Sequence, residues 1–156
     1  LDFFKEEDIN NNKKNFYNNN KFSSSEFNNY KSKVMYDVIQ FSYKSKDKKY
    51  KIYGLTGILS YKNNIQDCYK KMDIIVDEIS SLFKDISTKT DKLIEKHDYD
   101  KSGKSTTTSY DFYFHNGDWL YVSCFDWSEE TGFSDNLRIH LGHEEFKNFL
   151  NNEAYN

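Results

Sequence analysis

Over residues 65–86 apolar side chains recur at helical spacing: Ile65, Cys68, Tyr69, Met72, Ile75, Val76, Ile79, Leu82, Phe83 and Ile86, with Asp, Lys and Glu between them. That pattern makes a helix with one apolar stripe, and the stripe has to be laid on something. Asn63, with Gln66 three residues later, resembles a capping box at its start. Strand-like sequence precedes it and resumes beyond residue 108. The spacing therefore predicts a helix lying on a sheet.

Before the helix, residues 34–43 (VMYDVIQFSY) and 50–61 (YKIYGLTGILSY) are rich in β-branched and aromatic residues and read as two strands around a polar turn. Gly54 and Gly57 inside the second suggest a bulge or the close approach of another group. After the helix, residues 87–108 read mostly as loop, with a short element near Leu93 and Ile94. Asn116-Gly117 between two aromatic runs signals a hairpin, and residues 133–141 alternate as a further strand. A short helix over 143–151 carries Glu144 and Glu145 in its first turn, where the helix dipole favours acids. The expected fold is α+β, ordered ββαβββα, with an antiparallel sheet and the long helix on one face.

Residues 1–31 are dominated by Asn, Lys and Ser. They are expected as a poorly ordered or docking N-terminal arm, with 32–156 as the single domain. The spacing of Phe27, Tyr30, Val34 and Val38 would also suit a helix.

Composition limits the function. The chain has no proline, a single arginine (Arg138) and a formal net charge of -3, so nucleic acid is not expected as a partner. The scarcity of residues with GC-rich codons fits AT-rich coding DNA, which makes Lys and Asn richness uninformative. No apolar run reaches the roughly 20 residues of a membrane span. The start at Leu1 reads as loss of a leader, so the chain is expected in the periplasm or secreted. In that setting Cys68, on the helix stripe, and Cys124, on a strand face, are expected to form a disulfide.

If Asn116-Gly117 is a two-residue turn, Phe114 pairs with Trp119 and Phe112 with Tyr121. Tyr110, Phe112, Phe114, Trp119, Tyr121, Phe125 and Trp127 then share one sheet face, with Tyr113, Leu120, Val122 and Cys124 on the other. The aromatic face is either core, with Cys124 turned outward, or a surface for a small ligand, a protein or a second copy of the chain.

Other motifs are weaker. Asp98, Asp100 and Ser102, followed by Gly103, match the first half of a calcium loop, but position twelve is Ser109 where a bidentate Glu is needed. Calcium is therefore a secondary expectation. Gly103-Lys104-Ser105 lacks the first glycine and following helix of a phosphate loop. His140 and His143 stand beside Glu144 and Glu145, but no third ligand has a familiar metal spacing. No nucleophile elbow or catalytic motif is present. The sequence points to a non-catalytic binding or structural module, ahead of a calcium-stabilised domain and an unfamiliar enzyme.

Overall fold

The computed structural model describes residues 5–28, 35–62 and 64–156. The chain runs α1 (Glu6–Asn11), β1 (Lys13–Lys14), β2 (Phe22–Asn28), β3 (Val38–Lys44), β4 (Ile52–Ser60), α2 (Ile65–Phe83), β5 (Ser87–Lys89), β6 (Leu93–Lys96), β7 (Thr106–Phe114), β8 (Trp119–Asp126), β9 (Asn136–Gly142) and α3 (Glu144–Asn152). All strands join one antiparallel sheet in the order β1-β2-β3-β4-β9-β8-β7-β5, with β6 beside β5 along β7. The α+β class with an antiparallel sheet is as the sequence predicts.

The two halves of the chain meet at the centre, where β4 pairs with β9. On one face, Cys68, Met72 and Val76 of α2 share a buried cluster with Phe112, Leu120, Val122, Cys124 and Leu137. The Cys68 and Cys124 sulfurs are at disulfide distance, with Cα atoms 6.0 Å apart. Farther along that face, Ile9 of α1 closes over Phe27, Phe41 and Tyr43. The opposite face carries α3, whose Phe146 and Phe149 pack on Phe22 and Tyr53. Tyr53 reaches that side through a bulge: Gly54 pairs with Ser42 and Ile52 with Tyr43, leaving Tyr53 unpaired between them.

The described part of the N-terminal segment docks on the rest of the chain as a strand. Every residue of β2 pairs with β3, and Phe22 and Phe27 are buried. Its polar run reads as linker, yet Ser24 Oγ bonds Ser42 Oγ at 2.6 Å and Ser25 Oγ donates to the Ile9 carbonyl, so serines fill interior positions. Phe27 lies in a strand, while Tyr30 and Val34 are outside the described residues. Asn63, the expected cap, is also outside them; Asn64 caps α2, its side chain accepting from the Asp67 N–H. In residues 87–108, expected mostly as loop, β6 falls on the short element expected near Leu93 and Ile94, while β5 was not anticipated; both pair with β7.

The hairpin register is corrected by one residue. Tyr113 pairs with Trp119 and Phe112 with Leu120. The Phe114 carbonyl accepts from Gly117 N–H and the Phe114 N–H donates to the Asp118 carbonyl, so the loop has three residues, with Gly117 at φ 89°. A slip of one residue exchanges the faces of one whole strand relative to its neighbour.

Candidate functional site

That exchange divides the expected aromatic face. Tyr110, Phe112 and Phe114 point to the α2 side, where they join the cluster with Cys124. Trp119, Tyr121 and Phe125 remain on the opposite face, joined by His140 and Arg138 of β9: Trp119 and Tyr121 contact His140, and Arg138 lies over Phe125. Trp127 follows β8 and packs at 4.2 Å between ring centroids on His97.

The strand register fixes the floor of a groove here. Glu26, Gln40, Thr56, His140 and Tyr121 occupy successive strands as cross-strand partners. Five strands at the usual spacing carry this row about 19 Å across the sheet. Over it lies a cavity of about 570 Å³, edged by Phe146 of α3, Tyr17 and Tyr155. A second cavity of about 420 Å³ adjoins it, lined by His97, Tyr99, Trp127 and Phe133. Phe16, Tyr99 and Arg138 line both. Volumes of this size are those of small-molecule sites.

Arg138 stands where the compartments meet. Its guanidinium lies 4.3 Å over the Phe125 ring, and its Nε donates to Asn136 Oδ1 at 3.0 Å. Among the described residues its terminal nitrogens have no hydrogen-bond or ion-pair partner. Burial draws its pKa down from the usual arginine value, yet a guanidinium stays protonated in proteins. Glu26, the acid of the groove floor, is held by Lys14 at 3.7 Å.

His140 is almost fully buried, and Nδ1 meets Thr56 Oγ1 at 2.8 Å while Nε2 has no hydrogen-bond partner among the described residues. Burial pushes its pKa down to about 4, so the ring is neutral. Tyr121 stacks on it at 5.0 Å, and burial pushes the phenol up to about 12. His97 is shifted down, chiefly by burial and then by the Arg138 charge.

Asp98, Asp100, Ser102 and His143 do not line either cavity. Asp100 accepts from Ser102 N–H and Oγ, Ser105 N–H and Oγ, and Ser128 Oγ, tying the β6–β7 loop to the segment after β8. These donors hold its carboxyl far below the usual range, the Ser105 and Ser102 hydroxyls most strongly. Asp98 has no such set among the described residues; its carbonyl accepts from Lys101 Nζ at 3.3 Å. Among the described residues no three His, Cys, Asp or Glu side chains are grouped to hold a metal. His143 does not join His140 in a site: its Nδ1 caps α3 by accepting from Glu145 N–H. No described helix is long and apolar enough to cross a membrane.

Sequence reasoning missed Phe16, Gln40, Tyr99, Phe133 and Arg138, which belong to distant segments. The one available signal was the solitary arginine, set among the alternating polar positions of β9. Comparison with protein-family models, curated proteins and solved structures finds no match.

Proposed function

We propose that the chain is a non-catalytic binding module of an oxidising compartment, the periplasm or the exterior, which takes a small ligand in the groove around Arg138. The observation that carries this reading is the Arg138 guanidinium at the junction of two aromatic-walled cavities, whose terminal nitrogens have no hydrogen-bond partner among the described residues. Half-buried donors left unpaired are costly, and a ligand group that reaches them is correspondingly favoured.

Two features support binding over acid–base chemistry. Catalytic acids and bases work best with a pKa near the operating pH, and His140 and Tyr121 are both moved away from it. The cysteine pair lies at disulfide distance, which suits an oxidising setting.

The test is a thermal-shift and tryptophan-fluorescence screen against a library of ring-bearing small molecules and oligosaccharides. The expected hits stabilise the native protein and lose their effect in Arg138→Gln and Tyr99→Ala. Hits that persist in both variants would place binding elsewhere, and a blank screen would reject the reading.

A further inference from the structure

We propose that the ligand of this groove is an acidic saccharide, its carboxylate or sulfate on the Arg138 guanidinium and a sugar ring against Trp127, Tyr99 and Phe133; this rests on the groove being a binding site.

The floor carries polar groups that the fold does not use. Among the described residues the Gln40 amide, the Tyr121 hydroxyl and the Arg138 terminal nitrogens lack hydrogen-bond partners, whereas Ser42 and Thr56 beside them are bonded to Ser24 and His140. A hydrocarbon or bare aromatic ligand would strip water from these groups and return nothing, a loss for each buried donor or acceptor. A sugar carries hydroxyls that both donate and accept, and the unused groups offer both.

The second compartment supplies the complementary surface. Trp127 and Phe133 pack at 5.0 Å, Tyr99 and Phe133 at 5.6 Å, and Tyr99 and Phe133 are exposed at the rim. Aromatic side chains that join an apolar face to a polar edge suit the C–H faces of a pyranose. Charge selects among sugars. Glu26 faces Lys14 and acts on Arg138 only through space, so among the described residues the groove's arginine forms no ion pair, and its planar fork matches a carboxylate or sulfate.

An array of immobilised glycans containing neutral, uronic-acid, sialylated and sulfated members tests this on the native protein. Acidic members should be retained at least about ten-fold more tightly than neutral counterparts of the same backbone, equivalent to about 1.4 kcal/mol. The carboxylated and sulfated arms identify which acid is used. Arg138→Gln should erase the preference, Arg138→Lys should restore part of it, and Tyr99→Ala, an exposed position, should weaken acidic and neutral members alike. Equal retention of neutral glycans, no acidic glycan retained, or a preference that survives Arg138→Gln overturns the proposal. A blank array together with Arg138-dependent hits among non-sugar acids rejects the saccharide and leaves the groove standing. A blank in both rejects both.

Discussion

Trp119 lies over Gly142, its cross-strand partner, so closely that a Cβ on Gly142 would collide with the indole Nε1. His140 Nε2 would be 2.8 Å from the same Cβ. The glycine leaves room for the Trp119 indole beside the stacked rings of His140 and Tyr121. Gly142→Ala is accordingly expected to cost about 1–3 kcal/mol through overpacking, read as a lower urea midpoint with an unchanged slope. A neutral result would mean that the Trp119 ring is free to shift.

The buried pair Cys68 and Cys124 spans 56 residues of chain. Intact-mass analysis under non-reducing alkylation should find both thiols blocked in exported protein. The double replacement by Ala should lower stability by about 2–4 kcal/mol. Free alkylation of both cysteines would remove the argument for an oxidising compartment.

His140 gives a pH dependence of definite sign. Its folded pKa of about 4 lies below the unfolded value of about 6.5, so the unfolded chain binds a proton that the folded one refuses. Stability from this residue is complete above about pH 6.5 and falls as pH drops toward 4, by about 1.4 kcal/mol per pH unit at the steepest. His97, also shifted down, adds in the same direction. Urea melts at pH 7 and pH 4.5 should show a smaller difference in His140→Gln than in the native protein. An equal difference would refute the buried neutral imidazole.

Deleting residues 1–28 should unfold the domain or sharply lower its Tm, since the deletion strips β3 of β2 and removes Phe22 and Phe27 from two clusters. Phe22→Ala alone should cost about 3–5 kcal/mol, as for other buried phenylalanines. A truncated chain that melts like the intact one would make this segment an accessory.

Asp100→Asn should lower the Tm, because the variant replaces two carboxylate oxygens by one acceptor and one NH₂ facing hydroxyl and N–H donors. The depressed carboxyl pKa places its pH-linked loss below the ordinary carboxylate range, and the variant should lack that loss. Millimolar calcium should leave the native Tm unchanged; a rise abolished by Asp100→Asn would revive the calcium loop.

Sequence alone determined the elements whose signals are local. Helical spacing over residues 65–86 marked α2, because a period of 3.6 is legible within one segment, and alternation with Asn116-Gly117 marked the β7–β8 hairpin. Placing Cys68 and Cys124 on facing surfaces likewise needed only the helix stripe and the strand period. Register was beyond that reach. A loop of three residues rather than two, set by hydrogen bonds between Phe114, Gly117 and Asp118, sent Phe112 to the α2 side and kept Tyr121 on the other. β2 was hidden because its interior is filled by serines, whose burial is tolerable only once Ser42 and the Ile9 carbonyl are in place to bond them. The groove is assembled from Phe16, Gln40, Tyr99, Tyr121 and Arg138, which only cross-strand pairing and loop packing bring together. No local period encodes such a neighbourhood; tertiary structure decided it.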